Sequence, residues 1–262
     1  MTRGEHWVRT LLGDAAVAAA DGVPSVRVAD GTLDGAAWRA VAVVPNPVAR
    51  FPRARGGELG LDEGLALADA VRGAPPDAAI LAIVDVPGQA FGRREEAAGL
   101  QLALAAAVNA YATERRAGRP IFALVVGKAI SGAFLAHGLQ AGWIGALRDP
   151  GVEVHVMPAA SVARVTRATP DEVARVATIV PATARDIVTF ARFGAIDALF
   201  DVHDPLAPSS AERAAIVRAL VDARERGLGT RAPRERLATD AARRTRAPAL
   251  DVRDRIARAW QS

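Results

Sequence analysis

Apolar residues along the chain fall into two periodicities and one unbroken pattern, and each predicts a different element. Trp7, Val8, Leu11 and Leu12 recur at helical spacing in an Ala-rich stretch, which predicts a docking helix from about Glu5 to Ala20. Val26-Arg27-Val28 and Ala40 to Val44 alternate or run apolar, predicting strands around turns at Asp30-Gly31 and Asp34-Gly35. Pro45, Pro47 and Pro52 then open a loop carrying Arg50, Arg53 and Arg55, before a helix from about Leu61 to Val71. Ala79 to Val84 and Ile121 to Val126 are unbroken apolar runs, as in strands buried on both faces of a parallel sheet. A long helix is expected between them, from about Arg94 to Arg116, with Ala98, Leu102, Ala105 and Ala106 on its apolar face.

Beyond the second run the pattern predicts a helix from Ser131 to Gln140 and short strands at Trp143 to Leu147 and Val152 to Met157. Helices are expected over Ala160 to Arg167, Asp171 to Ala177 and Ala182 to Phe193, and a strand over Ala198 to Val202. From about Ser209 onward the chain reads as helical, with Gly227 to Pro248 as a linker into a last helix. Strands alternating with helices give an α/β protein built on a parallel sheet with helical cover.

Composition changes this picture little. At 262 residues, 51% of them hydrophobic, the chain is long enough for one large core. It has no Cys, which excludes disulfides, thiol catalysis and thiolate metal sites. No stretch reaches about 18 uncharged apolar residues, so a membrane span is not expected and a cytoplasmic location is the default. The isoelectric point near 10.6 suggests nucleic acid, but the net charge is only +4 and acidic residues interleave with the arginines throughout. Arginine supplies every basic residue except Lys128. A solvated or partner-facing helical surface is the expected use of these arginines, or recognition of phosphate on an acyl carrier. His6, His137, His155 and His203 do not form a metal spacing, and His137 and His155 read as core histidines with satisfied nitrogens.

Two apolar runs end in glycine-containing turns that lead to helices. The first is Val84-Asp85-Val86-Pro87-Gly88, and about forty residues on comes Val126-Gly127-Lys128-Ala129-Ile130-Ser131-Gly132-Ala133. Parallel strands end side by side, so two such elbows can face one site. Backbone N–H groups at a helix start suit a negative oxygen without any side-chain nucleophile. Gly127 is expected to take an unusual dihedral, Ala129 and Ile130 to present N–H groups at the helix start, Ser131 to cap that helix, and Gly132 to allow close approach. The segment is not a Gly-x-Ser-x-Gly nucleophile elbow, because Ala129 stands two residues before Ser131.

This order of elements, followed by Val154-His155-Val156-Met157-Pro158 and Phe193-Gly194-Ala195-Ile196-Asp197, resembles the carboxyltransferase branch of the crotonase superfamily. Within that branch it is most similar to the gamma subunits of biotin-independent malonate decarboxylase. The resemblance implies a crotonase-like ββα superhelix, a single domain over residues 1–262 with 209–262 as a helical C-terminal extension, and a heteromeric complex. It also implies a beta subunit partner and a malonyl thioester carried on the prosthetic thiol of an acyl-carrier protein subunit, with no metal, no directly bound cofactor, and neither nucleic acid nor membrane as a partner. The site it implies comprises backbone groups at Gly127, Ala129, Ile130, Ser131 and Gly132, with Pro87 and Gly88 on a substrate-facing loop and Lys128 as a contact for a carboxylate or the carrier arm. Biotin-dependent relatives are more Gly-rich where this chain has Lys128, Ala129 and Ile130, which favours the biotin-independent reading over a biotin-dependent carboxyltransferase subunit. A non-catalytic scaffold for the beta subunit is the other alternative.

Overall fold

In a computed structural model, which describes residues 2–13, 17–180 and 183–261, the apolar runs become the centre of one sheet. Among the described residues the sheet has eight strands, seven of them in the order β1-β2-β3-β4-β5-β6-β8. β1 (Val17–Ala20), β2 (Val23–Leu33) and β3 (Ala36–Val43) pair antiparallel. From β3 onward, β4 (Ala79–Val86), β5 (Ile121–Ile130), β6 (Trp143–Leu147) and β8 (Ala198–Phe200) are parallel. β7 (Val154–His155) leaves this path and pairs only with the far end of β5. β5 is long enough to pair in parallel with β6 along its first half and with β7 at its far end, and with helices covering the sheet this is the ββα arrangement expected from the resemblance.

β4 and β5 are buried almost throughout because helices cover both faces. On one side lie α2 (Leu61–Arg72) and α4 (Leu100–Arg116), whose close approach depends on Gly64, where an added Cβ would lie 2.8 Å from the Ala103 backbone. On the other, α1 (Arg3–Leu12) seats Trp7, Val8 and Leu11 in the core, and Trp7 Nε1 donates to the Pro205 carbonyl at 2.9 Å. Trp38 and Phe122 pack with ring centres 4.9 Å apart, next to Trp143. Burying each such side chain contributes about 1.5–3 kcal/mol.

Several expected elements have different bounds. The helix expected from Glu5 to Ala20 ends at Leu12, where Gly13 turns at φ 89°. Its middle lies outside the described residues, and Val17–Ala20 is edge strand β1, captured by pairing with β2 despite the helix propensity of alanine. The turn at Asp34-Gly35 forms, with both residues at positive φ. Asp30-Gly31 is no turn: it runs inside β2, opposite Arg39 and Trp38. The long helix is two, α3 (Arg93–Ala97) and α4, separated by Gly99 at φ 94°. That break resets the helical phase, so Leu100, Ala103, Ala107, Ala110 and Tyr111 are buried while Leu102 is exposed.

Further along, α5 is only Ser131–Ala136, and α6 (Ala159–Thr166), α7 (Pro170–Ile179) and α8 (Ile187–Arg192) follow β7. The expected helix start at Ala182 lies outside the described residues. α9 (Ser210–Glu225) packs Ile216, Leu220 and Ala223 into the main core. The expected linker after Gly227 instead holds α10 (Pro233–Arg236) and α11 (Asp240–Thr245), with Arg236 and Ala242 buried. α12 (Ala247–Ala259) closes the chain with no buried residue. Among the described residues, no helix is long and apolar enough to cross a membrane.

Candidate active site

The two elbows meet through a local mismatch between β4 and β5. Val84 pairs with Val125 and Val86 with Ala129, so β5 carries two more residues than β4 over the same span. Gly127 and Lys128 sit in this bulge. Asp85 fills the space beside it, and its Oδ1 accepts the Lys128 N–H at 3.0 Å. Gly127 is not in the left-handed region; it is glycine because a Cβ there would collide with the Asp85 carboxylate. The expected unusual dihedral is therefore corrected to a close approach.

The left-handed residue is Ser131, at φ 57°. A non-glycine residue pays about 1–2 kcal/mol for that conformation, and such strain concentrates at functional turns. It reverses the chain from β5 into α5. The hydroxyl of Ser131 donates to the Val156 carbonyl instead of capping the helix. Ala129 donates its N–H to the Glu153 carbonyl at 2.8 Å, and Ala129 and Ile130 are in register with Val154 and His155 of β7. The donor expected at Ala129 is thus already spent on the strand ladder. Gly132 differs: its N–H, in the first turn of α5, goes to the side-chain Oε1 of Gln89 at 3.0 Å. A side-chain acceptor can be replaced by a substrate oxygen far more readily than a strand partner.

Gln89 is delivered by the first elbow. Gly88 is buried at φ 137°, its carbonyl accepts the Leu59 N–H at 2.9 Å, and Leu59 in turn accepts the Ala90 N–H at 2.9 Å. That short bridge holds the loop after Pro87 so that Gln89 reaches across to Gly132.

Beside this contact lies a cavity of about 960 Å³ between α5, β7 and α6 to α8. Its walls are mostly apolar, including Phe134, Leu139, Val162, Val173, Phe190 and Phe193. Gln89, Ser131, Gly132, His155 and Arg185 supply a polar end. Of the site residues expected from sequence, Ala129, Ser131 and Gly132 line the cavity, whereas Gly127, Lys128, Ile130, Pro87 and Gly88 do not. Lys128 extends from the bulge as an exposed side chain.

Sequence reasoning missed Gln89, Arg185 and the state of His155. His137 is the core histidine it favoured: its Nε2 meets the Ile83 carbonyl and its Nδ1 the Tyr111 hydroxyl, each at 3.0 Å. Full burial pushes its pKa down to about 4. His155 is not fully satisfied, since Nε2 lies 3.1 Å from Glu153 Oε2 while Nδ1 is buried with no hydrogen-bond partner among the described residues. Burial lowers its pKa, aided by Arg185 and Lys128 and opposed by Glu153.

Known proteins are similar to this chain in sequence and fold. The sequence profile of the malonate decarboxylase gamma subunit matches residues 54–260. The chain belongs to that family. It is 34% identical over 186 residues to the malonyl-S-ACP:biotin-protein carboxyltransferase MADD of Malonomonas rubra, a match covering 67% of this chain and 62% of that protein. The chain thus spans less than two thirds of that curated relative's length. Its fold superposes on a chain of the Pseudomonas malonate decarboxylase hetero-tetramer in complex with coenzyme A, with TM-score 0.87 and 44% identity over 97% of this chain and 100% of that one. The Pseudomonas MdcD-MdcE hetero-dimer of the same enzyme matches with TM-score 0.82 and 43% identity, over 99% of this chain and 100% of the matched chain.

Proposed function

We propose that this malonate decarboxylase gamma-family chain works with a beta companion to decarboxylate malonyl carried as a thioester on an acyl-carrier protein, leaving an acetyl thioester and carbon dioxide. The observation that carries this reading is the Gly132 N–H in the lining of a mostly apolar cavity, bonded to a displaceable side chain.

Loss of carbon dioxide from a malonyl thioester leaves an electron pair on the α carbon, delocalised onto the thioester oxygen. The Gly132 N–H, released by Gln89, meets that oxygen; a fixed donor of this kind is worth about 3–4 kcal/mol of barrier. Ser131 holds the turn that aims it. The scissile bond must stand perpendicular to the thioester plane for the developing electron pair to conjugate, and the cavity walls that include Phe134 and Phe190 are the surfaces available to orient it. In this reading Gly127 keeps the elbow in place through Asp85, and Ala129 and Ile130 support it from the strand. Pro87 and Gly88 present Gln89, and Lys128 meets a carboxylate or the carrier's arm at the rim.

The Malonomonas relative is described as a carboxyltransferase to a biotin protein, which favours carboxyl transfer to biotin as the second reading. One experiment separates them: carbon dioxide release from malonyl-carrier protein by the purified chain, alone and with its beta companion, with and without avidin. Release that requires both subunits and ignores avidin is expected. Release abolished by avidin, or none from the pair, contradicts the proposal.

A further inference from the structure

We propose that His155 transfers the proton at the α carbon of the bound thioester, which gives the site a second activity: enolisation of the acetyl thioester. The inference rests on reading the cavity as a thioester site.

His155 sits in β7 in register with Ile130, the residue before Ser131 and Gly132. Its ring lines the cavity, and its side chain is only 6% exposed. A carboxylate oxygen only accepts, so the contact with Glu153 puts the ring hydrogen on Nε2 and the lone pair on Nδ1. That Nδ1 is buried and has no hydrogen-bond partner among the described residues, an unfavourable arrangement for a polar atom. Arg27 Nε, Trp38 Nε1, Glu63 Oε2 and Arg236 Nε share that state among the described residues, but of these five side chains only His155 lines the cavity, where a catalytic role accounts for an unpaired atom. His137, which follows α5, shows the ordinary outcome with both nitrogens paired.

The charged groups around the ring are Glu153 before it in the chain, Lys128 on β5, Arg185 ahead of α8 and Glu172 on the α7 wall of the cavity. Asp186 is engaged in capping α8 through the Thr189 N–H at 2.8 Å. Burial outweighs the support from Glu153 and lowers the ring's pKa, which favours the neutral form that can act as a base. Nδ1 then takes a proton from the methyl group of an acetyl thioester. The C–H pair moves into the carbon–carbon bond, and the charge settles on the thioester oxygen. Reversal returns a proton, or a deuteron in heavy water, to the carbon.

In the decarboxylating direction the malonyl carboxylate brings a negative charge beside the ring and favours its protonated form. The carbon–carbon bond breaks, carbon dioxide leaves without the bonding pair, and the enolate takes the Nδ1 proton. The ring ends neutral and regains a proton from solvent.

The test uses the complex with the beta companion, first with the acetyl thioester of N-acetylcysteamine in heavy water followed by proton NMR. Carbon dioxide release from the corresponding malonyl thioester is measured alongside. Wild type is expected to exchange the methyl hydrogens. His155→Gln keeps the size and polarity of the side chain but cannot shuttle the proton, and both rates should fall about 10²- to 10⁴-fold with KM and thermal midpoint little changed. Glu153→Gln removes a charge that favours the imidazolium, so the acid limb of the exchange profile moves to lower pH. No exchange in wild type, or equal rates in folded His155→Gln, overturns the proposal. Exchange that depends on His155 without any carbon dioxide release would sustain it and overturn the decarboxylase reading instead.

Discussion

His137 shows how one residue sets a pH limit on the fold. Its neutral tautomer is imposed from both sides, with Nε2–H donating to Ile83 and Nδ1 accepting from Tyr111. Its pKa is held at about 4 in the folded chain, against about 6.5 when unfolded. Between these values the unfolded chain binds the proton and the folded chain does not, so stability falls as pH drops from about 6.5 towards 4. Acidification from pH 7 to 5 should cost about 2 kcal/mol from this group alone. Urea titrations across that range check it, and His137→Gln should flatten the slope. An equal slope in both proteins would place the sensitivity elsewhere. Neither this histidine nor His155 was legible in full: both sit on apolar stretches of sequence, and only the position of Glu153 and Tyr111 in space separates a paired ring from an unpaired one.

Between elements, the main devices are the bulge in β5 and a set of arginines. Gly127 could be read as special from its sequence context, but the reason could not, because the Asp85 side chain it accommodates arrives from another strand. Gly127→Ala should cost about 1–3 kcal/mol by overpacking and loosen the Lys128 N–H from Asp85. In an Asp85→Ala background the collision disappears, so the same substitution should cost less than about 1 kcal/mol. Thermal unfolding of the two single variants and the double measures this; additive costs would contradict the clamp. The arginines were expected at a solvated or phosphate-binding face. Several instead tie separate elements together through backbone carbonyls. Arg236 takes the Leu139 and Ala141 carbonyls, Arg115 that of Gln140, and Arg231 that of Gly142. Arg213 reaches Thr10 and Leu11, and Arg224 reaches Ala37 and Asp77. The high isoelectric point therefore reflects, in part, internal cross-links, which composition cannot distinguish from a basic surface.

At the scale of the molecule, the parallel sheet was legible because β4 and β5 are continuous apolar runs with helical patterns between them. The ββα arrangement was not: it depends on a two-residue strand, β7, pairing with the end of β5, and two residues carry no periodicity. The cavity was hidden for the same reason. It forms where α5, β7 and α6 to α8 converge, and its polar lining joins Gln89, the Ser131-Gly132 turn and His155 from three separate segments.

That convergence is the central claim, and Gly132→Val in the assembled complex tests it most directly. The nearest atoms to a Cβ at Gly132 would belong to the flexible Gln89 side chain, at 3.3 Å for Oε1 and 3.4 Å for Cδ, so folding and association with the beta companion should survive. The larger side chain should displace the thioester oxygen from its donor and lower kcat/KM for carbon dioxide release about 10²- to 10³-fold, the loss of one oxyanion contact. Full activity in a complex that still assembles would contradict the account and leave this chain as a scaffold for a site held elsewhere.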